Sequence, residues 1–156
     1  TRILDTRKTT PLLRELEKYA VVTGGGGNHR MGLYDMIMIK DNHVDFAGGI
    51  GPAIDAVHQY LNRTGKGLKI EIEVRNLDEL NQVLEHGKVD RIMLDNFSPG
   101  LLNEAVGLIG RRYETEASGG INELNIREYA ETGVDFISIG ALTTQVRNLD
   151  LSLKAM

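Results

Sequence analysis

The chain has 156 residues, 41% hydrophobic and 26% charged, and this composition predicts one globular domain and excludes a disordered polar tail. Its 18 basic and 22 acidic side chains give a formal net charge of -4, which argues against a general nucleic-acid surface. Cysteine is absent, which excludes disulfide scaffolds and cysteine-ligated metals, and no apolar run approaches the roughly 18 residues of a membrane helix. We expect a reducing compartment, the cytoplasm.

Short β-branched runs bounded by polar residues predict six strands. In chain order they span 2–6, 36–41, 69–74, 91–96, 113–118 and 136–141. Helical patterns lie between them at 11–20, 52–62, 77–86, 99–109 and 123–132. Each of the last three follows an Asn or Ser suited to an N-cap and stops at a glycine.

The polar residues that end successive predicted strands recur at a nearly constant spacing. Glu73, Asp95, Ser118 and Gly140 are separated by 22, 23 and 22 residues. Equal strand–helix units predict a parallel sheet with helices outside, and an array of them favours a parallel (β/α) barrel. A full barrel takes about 250 residues, so we expect an incomplete, open barrel. An open doubly wound sheet is the alternative.

Hydroxyl and cationic side chains follow the first predicted strand, the glycine run 24–27 and the second predicted strand. Guanidinium and ammonium groups at strand ends suit phosphate or carboxylate ligands. Glycines let the backbone approach a ligand closely. The alternatives are a solvated loop, a flexible glycine linker and a structural ion pair of the lysine that ends the second strand. The candidate residues are Thr6, Arg7, Lys8, His29, Arg30 and Lys40.

Carboxylates end the third and fourth predicted strands. Glu71 and Glu73 share one face of a strand, and Asp95 ends the neighbouring strand about 4.8 Å away. Glu73 and Asp95 could bind a hydrated Mg²⁺ or stabilise positive charge at a reacting carbon. A salt bridge to a nearby cation is the alternative, and both interpretations are compatible.

Two successive strand-to-helix loops carry glycine. Backbone N–H groups near helix N-termini form phosphate cradles, whereas a single glycine pair is also typical of a tight turn. The loop residues are Ser118, Gly119, Gly120, Gly140, Ala141 and Leu142. His43 is a weak candidate, and we expect His58 and His86 to lie on helix surfaces outside the sheet.

Eight motifs along the whole chain resemble the quinolinate phosphoribosyltransferase family, in the family's order. They are DTRKTTP (5–11), LEKYAV (16–21), GGGGNHR (24–30), IKDNH (39–43), EIEV (71–74), LDN (94–96), EASGGI (116–121) and SIGALT (138–143). The resemblance covers only the family's C-terminal barrel, of the type II phosphoribosyltransferase kind. It implies that residues 1–156 are part of the catalytic barrel domain, and that the N-terminal domain and the first part of the barrel lie outside this sequence.

The resemblance also implies a reaction. Quinolinate and phosphoribosyl pyrophosphate would give nicotinate mononucleotide, pyrophosphate and CO₂ with Mg²⁺, in NAD biosynthesis. By this resemblance, Thr6, Arg7 and Lys8 would hold the anionic substrates, and His29, Arg30 and Lys40 would line the dicarboxylate pocket. The resemblance implies further that the two strand-end acids face ribose and Mg²⁺–pyrophosphate, and that both glycine loops hold phosphate.

The family also implies a homodimer or higher homo-oligomer of the full-length protein, in which a partner subunit completes the pocket. Two alternatives stay open. One is a molybdenum-transport-associated relative acting on another aromatic acid, and the other is a non-catalytic phosphate-binding barrel.

Overall fold

A computed structural model describes residues 1–147 and 149–155. The strands are β1 (Arg2–Leu4), β2 (Ile37–Ile39), β3 (Ile70–Val74), β4 (Arg91–Asp95), β5 (Glu114–Ser118) and β6 (Phe136–Ser138). The helices are α1 (Arg14–Thr23), α2 (Asp41–Ala47), α3 (Ile50–Thr64), α4 (Leu77–His86), α5 (Pro99–Ile109), α6 (Ile126–Glu131) and α7 (Ala141–Thr144). No helix of the described ranges is both long and apolar enough to cross a membrane.

The strands form one parallel sheet in the order β1-β6-β5-β4-β3-β2, which confirms the predicted α/β class. Residues that follow both end strands line one cavity together with residues of the four central strands, so the sheet curls into an open barrel. The segment 27–29 runs beside β1, where the Gly27 N–H donates to the Ile3 carbonyl at 2.8 Å. The Asp5 N–H donates in turn to the Gly27 carbonyl at 3.1 Å.

Strand β3 shows how the sheet separates two environments. Its odd-numbered positions Glu71 and Glu73 face the barrel interior, whereas Ile70, Ile72 and Val74 belong to the apolar core beneath the helices. All five residues are buried. Because successive side chains of a strand point to opposite faces, one strand both packs the core and presents carboxylates to the interior.

Helices α4 and α5 match their predicted bounds. Asn76 accepts a hydrogen bond from the Glu79 N–H at 2.9 Å, and Ser98 accepts one from the Leu101 N–H at 3.4 Å. These side chains satisfy N–H groups that the first turn of a helix leaves unpaired. Local capping chemistry is therefore sufficient to place these two helices from sequence.

Three other helix predictions have wrong ends. Helix α1 begins at Arg14 and not at residue 11, because Leu12 has a φ of 67°, outside the helical region. Helix α6 begins at Ile126 and not at residue 123, because Asn122 and Asn125 form a local turn first. Helix α3 extends beyond the predicted 52–62 at both ends and covers Ile50–Thr64.

Two short helices replace the ends of predicted strands. Lys40 is the N-cap of α2, where its backbone N–H donates to Nδ1 of His43 at 2.9 Å, so β2 ends at Ile39. Gly140 is the N-cap of α7, so β6 ends at Ser138. Strands β2 and β6 therefore end before residues 41 and 141, because Lys40 and Gly140 are already the N-caps of the following helices.

Candidate active site

A cavity of about 630 Å³ opens at the carboxyl ends of the strands. It brings together most of the site residues expected from sequence, namely Thr6, Arg7, Lys8, His29, Arg30, Lys40, Glu73, Asp95, Ser118, Gly119, Gly120 and Gly140. Ala141 and Leu142 do not line it, because they form the first turn of α7. Parallel strands end at one edge of a sheet, which explains how segments distant in sequence converge here.

Six further residues line the cavity that the sequence analysis did not select. They are Met38, Met93, Asn96, Glu116, Ile121 and Ser138. Strand alternation could have identified Met93 and Glu116, because they lie two residues before Asp95 and Ser118 and so share their inward face. Asn96 has a φ of 57°, a loop conformation that strand periodicity does not reveal.

Two guanidinium groups enter the cavity side by side. The Nε of Arg7 is buried and makes no hydrogen bond within the described residues. Burial and the positive charge of Arg7 lower the pKa of Arg30. The Arg30 guanidinium donates only weakly, to the Met36 carbonyl at 3.4 Å and to Sδ of Met38 at 3.6 Å. No carboxylate of the described chain lies within salt-bridge distance of Arg7, Lys8 or Arg30. This positive charge is available to an anion.

The strand-end acids are held differently from each other. Glu73 is buried and accepts a hydrogen bond from Nζ of Lys40 at 2.5 Å, so the salt bridge considered as an alternative exists. Asp95 is partly exposed and accepts a hydrogen bond from the side chain of Asn96 at 2.6 Å. Carboxylate oxygens of this kind suit Mg²⁺ that keeps water and phosphate as its other ligands.

The loop after β5 brings backbone close to the neighbouring strand. Gly119 has a φ of 99°, and a Cβ atom there would lie 2.2 Å from Oδ1 of Asn96. Gly140 packs against the stem of Lys8, since a Cβ there would lie 3.4 Å from Cδ of that lysine. The Thr143 hydroxyl also donates to the Lys8 carbonyl at 2.6 Å. The loop after β6 therefore lies against Lys8, whereas the loop after β5 lies against Asn96.

The glycine run 24–27 does not approach the cavity, contrary to the expected role of its glycines. A Cβ on Gly26 would lie 2.8 Å from Cγ1 of Val21, so the run packs against α1. It directs the chain from α1 to the segment beside β1, and the next residues, His29 and Arg30, reach the cavity. His58 and His86 lie on helices, as expected, and neither lines the cavity.

His29 makes contacts at both ring nitrogens. Its Nδ1 accepts a hydrogen bond from the Arg30 N–H at 2.8 Å. Its Nε2 lies 2.9 Å from Oε2 of Glu71 and 3.4 Å from Oε1 of Glu116. Arg91 donates to the other oxygen of Glu116 at 2.9 Å. Both glutamates are fully buried.

The buried group holds the His29 ring in one protonation form. Nδ1 accepts the Arg30 N–H, so the ring proton lies on Nε2, which faces Glu71 and Glu116. Burial raises the pKa of Glu71. His29, Glu71 and Glu116 have the residue types of a metal site. However, the bond to Nδ1 leaves the ring proton on Nε2, which a metal would need bare, so the group does not fit a divalent cation.

The family model described as "Quinolinate phosphoribosyl transferase, C-terminal domain" matches residues 1–154. A quinolinate phosphoribosyltransferase [decarboxylating] of Nicotiana glauca, named mitochondrial, is 47% identical over 97% of this chain and 47% of its own length. A nicotinate-nucleotide pyrophosphorylase [carboxylating] of Arabidopsis thaliana, named chloroplastic, is 48% identical over 97% of this chain and 48% of its own length.

The fold has solved counterparts. The nicotinate-nucleotide pyrophosphorylase from Francisella tularensis is 46% identical and superposes with a TM-score of 0.87, covering 94% of this chain and 51% of that chain. The chain spans about half the length of the curated relatives it matches.

Proposed function

This chain belongs to the family of quinolinate phosphoribosyltransferase C-terminal domains, and from that membership and its cavity we propose that it carries the site for phosphoribosyl transfer to quinolinate. The reaction joins quinolinate to phosphoribosyl pyrophosphate and releases pyrophosphate and CO₂. Its product, nicotinate mononucleotide, feeds NAD biosynthesis. The enzyme is thus a pentosyltransferase.

The unpaired guanidinium groups carry this proposal. Arg7 and Arg30 repel each other in a partly buried cavity, and the buried Nε donor of Arg7 has no acceptor among the residues that the structure describes. Leaving such a donor unpaired costs about 1–3 kcal/mol, which an anionic ligand would recover. Two forked cations match two adjacent carboxylates, the distinguishing feature of quinolinate. Lys40 is neutralised by Glu73 and contributes less charge.

Phosphate groups would fit the loops that follow the neighbouring strands β5 and β6. Ser118, Gly119 and Gly120 offer hydroxyl and backbone donors in the first loop, and Gly140 lies against Lys8 in the second. Loops of this kind bind phosphate through N–H groups and a nearby cation. Thr6 supplies a further hydroxyl, which also accepts a hydrogen bond from the Lys8 N–H at 3.0 Å.

The strand-end acids suit the reacting carbon and the metal. Glu73 and Asp95 line the same cavity, and their negative charge would stabilise a ribosyl oxocarbenium. They offer the hard oxygen ligands that Mg²⁺ prefers, directly or through water. Mg²⁺, when bound, would neutralise charge on the departing pyrophosphate.

Charge positioning accounts for the chemistry without a covalent nucleophile. The pyridine nitrogen attacks C1 of the ribose, and the bond to pyrophosphate breaks with its electron pair leaving on pyrophosphate. The quaternised ring then loses its 2-carboxylate as CO₂. The electron pair remains at C2, beside the positive nitrogen that stabilises it, until C2 takes up a proton. Residues of the cavity hold the two substrates in line, which alone contributes strongly to such reactions.

Pyrophosphate release tests this proposal. We expect release from phosphoribosyl pyrophosphate that requires quinolinate and Mg²⁺, and a large loss in Glu73→Gln. Glu79→Gln is the matched control, because Glu79 is a buried glutamate of α4 that pairs with Arg75 and does not line the cavity. Preference for an aromatic monocarboxylate would instead identify the relative that acts on another acid. Unchanged turnover in Glu73→Gln would contradict the assigned chemistry.

We also propose that the full-length protein self-associates and that it is located in the cytoplasm. Helix α1 exposes Leu16 and Tyr19, at 67% and 70%, which is compatible with a homodimer or higher homo-oligomer. Sedimentation velocity tests this, and a monomer at all concentrations would contradict it. We keep the cytoplasm as the proposed location from the absence of cysteine, although two plant relatives are named for organelles. Imaging of the tagged protein tests it.

A further inference from the structure

Arg30 reaches the cavity from a segment that has little secondary structure of its own. Residues 28–30 lie outside the helices and strands, and Gly27 makes only an isolated bridge to Leu4. A guanidinium placed by such a segment depends on side-chain contacts for its position. Those contacts converge on the preceding residue, His29.

The backbone of His29 is fixed by a buried ion pair. Its N–H donates to Oδ1 of Asp5 at 2.8 Å, and its carbonyl accepts from Nζ of Lys18 at 3.2 Å. Asp5 and Lys18 pair with each other at 2.5 Å, and both are fully buried. Each of the two charges thus makes one bond to the other and one to the His29 backbone.

The ring of His29 is fixed by Glu71, and it holds Arg30 in turn. Glu71 lies 2.9 Å from Nε2, while the opposite nitrogen accepts the Arg30 N–H. Within the described part of the chain Glu71 makes no other ion pair, whereas Glu116 also pairs with Arg91. A fully buried carboxylate is costly unless it is paired, so the position of Glu71 needs this partner.

We propose that Glu71 is a positioning residue, which orients the His29 ring so that Arg30 is held at the cavity. Glu71 itself is fully buried and does not line the cavity, so it cannot contact a substrate there. The consequence for dicarboxylate binding rests on the proposed function, whereas the effect on the position of Arg30 does not.

A positioning role of Glu71 and a purely electrostatic role predict opposite changes in anion affinity when Glu71 is removed. A buried negative charge near an anion site weakens anion binding by Coulomb repulsion. Removing Glu71 should therefore tighten binding if charge alone matters. Positioning predicts the opposite, because a displaced guanidinium loses its alignment with the carboxylate.

The first experiment measures the Arg30 backbone amide by NMR, without ligand. In Glu71→Ala we expect faster amide hydrogen exchange, by about tenfold or more, because the acceptor ring is no longer held. Glu71→Leu also removes the contact with the His29 ring but fills the volume of the glutamate side chain. Arg30 exchange can therefore be measured in this variant even if Glu71→Ala does not fold. Glu71→Gln keeps an acceptor oxygen and should restore slow exchange. Glu79→Ala is the control, since that glutamate lies on α4.

The second experiment measures quinolinate affinity in the same variants by calorimetry. We expect Glu71→Ala and Glu71→Leu to bind about tenfold to hundredfold more weakly, the range that small misplacements cost, and Glu71→Gln to recover most of the loss. Unchanged Arg30 exchange, or tighter binding in Glu71→Leu, would overturn the proposal. If the Glu71 variants change Arg30 exchange while the wild type does not bind quinolinate, the positioning role is upheld and the proposed function is rejected.

Discussion

Arginines lie at both ends of the sheet, and they differ in whether a carboxylate pairs with them. At the amino ends, Arg91 pairs with Glu114 at 3.1 Å and with Glu116 at 2.9 Å, and its guanidinium stacks on Phe136 at 3.9 Å. At the carboxyl ends, Arg7 and Arg30 have no carboxylate partner in the described chain. Paired charges maintain the fold, whereas unpaired charges of one sign in a cavity indicate a ligand.

The largest effect should come from breaking the paired end. Arg91→Ala leaves the fully buried Glu116 without its guanidinium partner and should lower the free energy of unfolding by about 3–5 kcal/mol. Urea denaturation measures this. Arg127→Ala is the control, because its i,i+4 pair with Glu131 is exposed and should contribute less than about 0.5 kcal/mol. Equal losses in the free energy of unfolding of Arg91→Ala and Arg127→Ala would contradict the expectation that the buried pair stabilises the fold more than the exposed pair.

Breaking the unpaired end should affect binding and leave stability nearly unchanged. Arg7→Ala removes hydrogen bonds to a charged ligand, which contribute about 1.5–3 kcal/mol, or roughly tenfold to hundredfold in the dissociation constant of quinolinate. It also relieves the repulsion with Arg30, so the free energy of unfolding should not fall. A loss of stability without a loss of affinity would show that Arg7 belongs to the fold and not to a binding site.

The smallest effect should come from salt. Raising ionic strength from about 0.01 M to about 0.15 M shortens the Debye length from about 30 Å to about 8 Å. Quinolinate affinity should fall, because the cavity cations are accessible, while the buried Arg91 pairs should respond little. Titrations and denaturation curves at both ionic strengths compare the two. If salt changed the free energy of unfolding more than the free energy of quinolinate binding, the cavity cations would not be the more accessible charges.

The strand positions and most cavity residues could be predicted because they depend on local patterns. The spacing from Glu73 to Gly140 follows from equal strand–helix units, and the N-caps Asn76 and Ser98 fixed two helices correctly. Both signals are contained within about 25 residues of chain, so no long-range information was needed.

The errors arose where distant residues decide the structure. The role of Glu71 depends on His29, 42 positions earlier, and sequence alternation shows only that the side chain faces inward. The glycines at 24–27 appeared suited to a ligand, but their packing against α1 depends on tertiary contacts such as that with Val21. The cap that begins α2 depends on the ring orientation of His43, which periodicity does not encode.

The cations Arg7 and Arg30, which have no carboxylate partner in the described chain, are proposed to bind a dicarboxylate. Calorimetric titration with quinolinate, alone and with phosphoribosyl pyrophosphate and Mg²⁺, measures this binding, with nicotinate as the matched monocarboxylate. We expect quinolinate to bind more strongly than nicotinate, and its binding to be lost in Arg30→Ala. Equal affinity for the two acids, or binding that survives in Arg30→Ala, would contradict it.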